Sequence, residues 1–250
     1  DNSDGVLKVM RSYQFFAASK ISDKVAQTKW DERNQLGGFV WHTTGSGKTM
    51  TSFKSAQLIA TSKDADKVIF LMDRIELGTQ SLKEYRGFAG DSLDVQATEN
   101  TGELVTKLKS GNPSDTLIVT SIQKMNNIKN EAEGGLKAAD IELMSGKRIV
   151  FIVDECHRST FGDMLINIKA TFFGFSGTPI HEENQKKDNT TTTVFGDELH
   201  RYSIADGIRD KNVLGFDPYK VLTYEDSELK TAVALEKAKA HTVEEAYAAP

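Results

Sequence analysis

Two short runs, far apart in the chain, carry residue types that together could hold a phosphate chain and a metal ion. The first is Thr43-Thr44-Gly45-Ser46-Gly47-Lys48-Thr49. Gly45 and Gly47 allow backbone conformations closed to residues with a Cβ, so consecutive N–H groups can turn inward around an anion. A helix opening at Lys48 would add the positive end of its dipole. Lys48 supplies a compact positive charge for β- and γ-phosphates, and the Thr49 hydroxyl can ligate Mg2+. His42 stands where the pattern G-x-x-x-x-G-K-[ST] has its first glycine. The bland reading of the run is a glycine-rich turn feeding a helix.

The second run is Asp154-Glu155-Cys156-His157, directly after the apolar Ile149–Val153. A carboxylate at the C-terminal end of a parallel strand sits where open α/β sheets bind ligands. Asp154 could hold Mg2+ through its water shell, and Glu155 could orient and deprotonate an attacking water. Alone, Asp-Glu after an apolar strand is also a common surface strand end. Paired with the upstream Gly-Lys-Thr loop, it points to ATP with Mg2+ as the expected ligands. Cys156 and His157 are adjacent and have no second pair, so they lack the spacing of a zinc site. Cys156 reads as packing beside the strand.

Both runs need a scaffold that brings strand ends together. Short β-branched apolar runs alternate with amphipathic stretches, as in parallel βαβ units. Strands are predicted at Gly38 to Trp41, Lys67 to Met72, Thr116 to Thr120, Arg148 to Val153 and Thr171 to Phe175. Helices are predicted at Val6–Ser22, Lys48–Thr61, Arg74–Gly87, Gly102–Ser110 and Gln123–Asn130. Asn130–Lys147 reads as a surface insertion, and Glu182–Thr193 as a polar loop. The expected fold class is α/β, a mostly parallel sheet with helices on both faces. The expected division is an N-terminal helical segment (1–36), a nucleotide-binding domain (37–222) and a helical or linker tail (223–250).

The 250 residues are 38% hydrophobic and 27% charged, enough for a buried core and against wholesale disorder. A single cysteine excludes an internal disulfide framework. No apolar run approaches the ~20 residues that span a bilayer, and no leader-like stretch opens the chain, so no membrane role and a cytoplasmic location are expected. The net charge of −5 argues against a broadly basic surface. It leaves room for a few local cations gripping DNA in a cleft. A start at Asp1 without an initiator Met, and a loose Ala-rich end at Pro250, suggest part of a longer protein.

Asp-Glu-Cys-His followed by Gly174-Phe175-Ser176-Gly177-Thr178-Pro179 resembles the second and third motifs of superfamily 2 helicases. The resemblance implies a RecA-like P-loop domain. It also implies that Ser176, Gly177 and Thr178 couple the nucleotide site to the DNA track; alone, they would read as an ordinary turn. Tyr13-Gln14 resembles the upstream element whose Gln reads adenine, for which an amide that donates and accepts is suited. Its plain alternative is a polar residue on a helix face. Asp73-Arg74 and Thr120-Ser121-Ile122-Gln123-Lys124 match loops that contact the DNA backbone in that family. This assigns Arg74, Thr120, Ser121, Gln123 and Lys124 to DNA, with solvated loop residues as the competing reading.

A narrower likeness lies in His42–Thr49, Asp154–Ser159, Phe195-Gly196-Asp197-Glu198-Leu199-His200 and Tyr202–Asp210 with Val213-Leu214. These are similar to the R (motor and restriction) subunit of type I restriction enzymes, from about Met10 to Phe216. The resemblance implies an ATP-driven double-stranded DNA translocase, working with methyltransferase and specificity subunits ahead of cleavage by a separate nuclease domain. Neither a second, arginine-finger half nor a nuclease core is recognised in these residues. The expectation is that the chain alone binds ATP, hydrolyses it poorly and does not cut DNA. Two alternatives remain: a generic superfamily 2 DNA or RNA helicase lobe, and a nucleotide-binding regulatory module that uses ATP as a structural ligand.

Overall fold

Ile149–Val153 has no polar residue to face water, so it is stable as a strand only with both faces covered, and all five residues are buried. It lies at the centre of a seven-stranded sheet in the computed structural model, which describes residues 9–32, 35–72, 96–98, 100–129, 137–158, 170–184 and 190–214. These all belong to a unit bounded as Asp1–Leu214; a second unit, Gly215–Pro250, lies outside the described residues. In chain order the elements are α1 (Ser12–Ala26), β1 (Gly38–His42), α2 (Lys48–Ser62), β2 (Lys67–Met72), β3 (Gln96–Ala97) and α3 (Thr101–Lys109). There follow β4 (Leu117–Ser121), α4 (Ile122–Asn126), α5 (Ala138–Ser145), β5 (Ile149–Val153), β6 (Ala170–Ser176), α6 (Thr191–Phe195), β7 (Glu198–Tyr202) and α7 (Ile204–Arg209).

The strand order is β3-β4-β2-β5-β6-β1-β7, and every pairing is parallel. All strand C-termini therefore open on one edge. Alternation sorts the side chains onto two faces. Val150 and Ile152 join Phe70, Phe173 and Phe175 under Ala17, Ile21 and Val25 of α1 and Phe53, Ala56 and Ile59 of α2. Ile149, Phe151 and Val153 face the other way, with Ile69 and Leu71, against Leu104 and Leu108 of α3, Met125 of α4 and Met144 of α5. The expected α/β class, a parallel sheet covered on both faces, is the observed one.

Element ends differ from the sequence reading where capping chemistry decides them. α1 starts at Ser12, where Gln14 Oε1 accepts from the Arg11 N–H at 2.8 Å and closes the N-terminus; residues 6–8 of the predicted helix lie outside the described residues. α3 starts at Thr101 because Asn100 accepts from the Glu103 N–H. The stretch 123–130 is a helix only to Asn126, then a 3-10 turn over Asn127–Lys129. Within the supposed surface insertion, Ala138–Ser145 is helical and anchors Met144 in the core. Within the supposed polar loop, Thr190 accepts from the Thr193 N–H and starts α6. β3 and β7 were not anticipated. The predicted helix Arg74–Gly87 and the tail from 223 lie outside the described residues.

Among the described residues no helix is long and apolar enough to cross a membrane. Phe173 is fully buried between the helix layer and the sheet. Phe173→Ala is expected to lower the unfolding free energy by ~3–5 kcal/mol, read as a reduced urea midpoint with an unchanged slope.

Candidate nucleotide-binding site

The strand order decides what meets at the open edge. β6 lies between β1 and β5, so the loop after β1, the acidic pair after β5 and Ser176 at the end of β6 are neighbours. Gly45 and Gly47 adopt left-handed backbone, with φ of 79° and 77°. The space where a Gly45 Cβ would stand is open, as a loop that must accept a ligand requires. Gly47 leads directly into α2, whose first residue is Lys48.

Lys48 is buried, and its Nζ lies 3.6 Å from Glu155 Oε1. It also lies against Gly177: a Cβ there would meet Lys48 Nζ and Thr44 Oγ1, each at 3.2 Å. Glu155 itself holds a left-handed backbone, φ 49°, which in a residue with a Cβ costs on the order of 1 kcal/mol. The turn aims its carboxylate at Lys48 on one side and at His157 Nδ1, 3.5 Å away, on the other. His157 Nδ1 also bonds Ser176 Oγ at 2.9 Å, and the Thr178 N–H donates to the same hydroxyl at 3.0 Å. Ser176 thus meets the acidic run through His157, and Gly177 lies against the glycine loop.

The half-buried Asp154 carboxyl is pushed up to about 6, first by burial and then by the neighbouring Glu155 charge. Lys48 and a hydrogen bond with the Thr49 side chain pull the other way. Asp154 and Thr49 offer two hard oxygen donors and leave the remaining positions to water and phosphate, which suits Mg2+. Among the described residues no group of three or more His, Cys, Asp or Glu could hold a metal ion. Cys156 packs in the core, its Sγ filling the notch at Gly174, and burial raises the thiol far above its usual range.

Gln14 is buried, and its Nε2 donates to the carbonyls of Ser46 and Gly47, at 3.2 Å each. Its amide N–H groups are thus spent on the back of the loop. Thr120 is buried and hydrogen-bonded to Thr98 at 2.8 Å, Ser121 caps α4, and Lys124 Nζ donates to the Thr98 carbonyl. Of these four residues at and beyond the end of β4, Gln123 has the exposed side chain. Arg74 lies outside the described residues.

In the sequence His42 stands out only as a departure from the glycine pattern and as the first residue of the His42–Thr49 likeness. It is fully buried, and its Nε2 meets His200 Nδ1 of β7 at 3.0 Å. His42 Nδ1 has no partner among the described residues. The bond needs one proton; if His42 donates it, Nδ1 is left as a bare acceptor, which burial tolerates better than an orphan N–H. Burial, then His200 and Lys48, lower the His42 pKa from 6.5 to about 3. The only forward signal for His200 was its place in the Phe195–His200 block.

With this geometry in place, comparison with known proteins identifies the class. Residues 13–248 match the SWI2/SNF2 ATPase family. The chain is 44% identical over 223 residues to the type I restriction enzyme SsaAORF53P endonuclease subunit of Staphylococcus saprophyticus, covering 86% of this chain and 22% of that one. It is 42% identical over 236 residues to the SauCOLORF180P endonuclease subunit of Staphylococcus aureus, covering 92% and 24%. A Mycoplasma pneumoniae chain named as the C-terminal part of the type I restriction enzyme MpnIIP endonuclease subunit is 41% identical, with 68% and 81% covered. The solved structure of a nuclease-deletion mutant of the Type ISP restriction-modification enzyme LlaGI, with a DNA substrate mimic, has a TM-score of 0.56 at 18% identity, over 92% of this chain and 22% of that one. That likeness, and the parallel sheet, show the RecA-like α/β fold. The chain belongs to the SWI2/SNF2 ATPase family and, within it, to the endonuclease subunits of type I restriction enzymes. It spans about a quarter of the two staphylococcal relatives' length.

The buried histidine sets a pH dependence. In the folded chain His42 stays neutral down to about pH 3, whereas unfolded it protonates near 6.5. Its contribution to stability is therefore full above 6.5 and is lost as the pH falls towards the folded value. Between pH 6.5 and about 5, His42→Gln should remove ~2 kcal/mol of the acid destabilisation seen in the unchanged protein, measured by urea unfolding at each pH.

Proposed function

We propose that this domain is the ATP-binding motor of a type I restriction endonuclease subunit, driving double-stranded DNA translocation ahead of cleavage by a nuclease domain elsewhere in the subunit. The observation that carries the reading is the 3.6 Å approach of Lys48 Nζ to Glu155 Oε1, which closes the glycine loop and the acidic pair around one point. A triphosphate would bind here by separating the two. Backbone N–H groups of the Thr44–Lys48 loop cradle its phosphates, and Lys48 exchanges its contact with Glu155 for one with phosphate. Thr49 and Asp154 are the residues that would hold Mg2+, which would supply positive charge against the phosphates when bound with the nucleotide.

Glu155 is the base: its carboxylate accepts a proton from the attacking water, and the left-handed turn keeps it facing the phosphate side. His157 and Ser176 connect that carboxylate to Gly177 and Thr178, so a change at the phosphates is felt at the end of β6. Gln14 belongs to the site by holding the loop from behind, and it is the residue proposed to read adenine. Of the residues expected to contact a DNA backbone, Gln123 is the exposed one; Thr120, Ser121 and Lys124 are engaged within the domain, and Arg74 lies outside the described residues. Methyltransferase and specificity subunits are the expected partners. An arginine supplied by another lobe completes the charge stabilisation, a contribution worth ~10³–10⁵ in rate, so this domain by itself turns over slowly.

The tests separate binding, chemistry and movement. Lys48→Ala should abolish ATP binding in a calorimetric titration; unchanged affinity would remove the loop assignment. Glu155→Gln in the full-length subunit should keep ATP affinity and cut turnover by ~10²–10⁴-fold, and retained turnover would assign the base elsewhere. ATP consumption by the full-length subunit, in its complex, should rise with DNA length. A static nucleotide binder would give a rate independent of length.

A further inference from the structure

Tyr202 ends β7 beside the loop, yet the chemistry above uses neither it nor the turn that follows it. Its ring lies flat on that of Tyr13, with centroids 3.6 Å apart and planes 5° apart. Tyr13 in turn donates its hydroxyl to the Ser46 carbonyl at 2.6 Å. The consequence for the loop follows from peptide geometry. In a trans peptide the C=O and the next N–H point in opposite directions. Tyr13 and Gln14 hold the Ser46 carbonyl from the α1 side, and the Gly47 carbonyl accepts from Gln14 and, within α2, from the Thr51 N–H. The N–H groups of Gly47 and Lys48 are thereby turned to the other side, the hollow of the loop.

Tyr202 is itself fixed at both ends. Its carbonyl accepts from the Thr43 N–H at 2.9 Å. Its hydroxyl donates to Asp210 Oδ2 at 3.1 Å and accepts from Asn212 Nδ2 at 2.7 Å. Asn212 reaches back because the chain reverses after α7: Lys211 is left-handed, φ 56°, and the N–H groups of Asn212 and Val213 donate to the Gly207 carbonyl at 2.8 and 3.1 Å. The clasp is tight against the loop. A Cβ on Gly207 would stand 2.7 Å from Val213 Cγ2 and 3.5 Å from Thr43 Cγ2.

We propose that Tyr202, held by Asp210 and Asn212, is a positioning residue for the phosphate loop, acting through Tyr13 to keep the Gly47 and Lys48 N–H groups facing the nucleotide. A stack alone would serve as packing, and two phenylalanines would make it. The hydroxyls are what fix the ring edges: one on the loop carbonyl, the other on the returning turn. The inference rests on the nucleotide reading of the loop and adds a role for the Tyr202–Val213 segment within it.

The test measures MgATP affinity by calorimetry on the full chain, beside the thermal midpoint without nucleotide. Tyr13→Phe and Tyr202→Phe keep the stack and lose one hydroxyl each. Each should weaken MgATP binding by ~3–10-fold, the range of one hydrogen bond. Because Tyr202 acts through Tyr13, the double variant should lose less than the product of the two single losses. Asn212→Ala, in the turn, should shift affinity in the same direction and serves if Tyr202→Phe does not fold. A lowered midpoint with unchanged affinity would reduce Tyr202 to packing, and multiplicative losses would mean that it does not act through Tyr13. If the unchanged chain fails to bind MgATP, or Lys48→Ala binds as well as it does, the nucleotide reading falls rather than the clasp alone.

Discussion

The approach of one buried ammonium to one carboxylate at the end of another strand organises this domain. Lys48 opens α2 after β1, and Glu155 follows β5. They meet because β6 alone separates those two strands, and because every strand runs the same way. A parallel sheet presents all its C-terminal ends along one edge, where helix N-termini and strand-end carboxylates gather. Swap β6 with either neighbour and Ser176 would no longer stand between the two halves. The local geometry sharpens the meeting: left-handed glycines free the loop backbone, and a left-handed Glu155 turns its carboxylate towards the lysine.

Charge is rationed around that point. Asp154 sits where burial and Glu155 oppose its ionisation, so it holds a proton more readily than a surface aspartate. At the end of β1, the position that many phosphate loops give to glycine carries an imidazole instead. His42 is kept neutral by burial and by its two cationic or potentially cationic neighbours. A second positive charge behind the loop would compete with Lys48 for the same anion. Neutrality there leaves the field of the loop to the lysine and the helix end.

What could be read from the sequence follows the range of the forces involved. β2 and β5 were legible because burial on both faces removes polar residues from the run. The glycine loop and the acidic pair were legible because each is a local arrangement. β7 was not, since its sequence Glu-Leu-His-Arg-Tyr mixes exposure with burial at a sheet edge. Arg201 lies over Trp41 and pairs with Glu198, and no periodicity announces such contacts. α5 was hidden by its small buried share: Met144 is its anchor, whereas Leu143 is exposed. The fold class came through intact; helix starts moved to wherever a side chain closed the first turn. The Tyr13–Tyr202 stack joins residues from the two ends of the described chain, and only the folded molecule pairs them.

Cys156 gives this turn an unexpected chemical quietness. Its sulfur is wedged against Gly174 and faces two carboxylates, so the thiolate, the form that oxidants and alkylating reagents attack, is suppressed. The residue immediately after the proposed base is thus the least reactive kind of cysteine. Electrophiles and peroxide that silence cysteine-dependent enzymes should leave this site untouched, and a thiol at the busiest corner of the domain becomes simply a well-fitted piece of its interior.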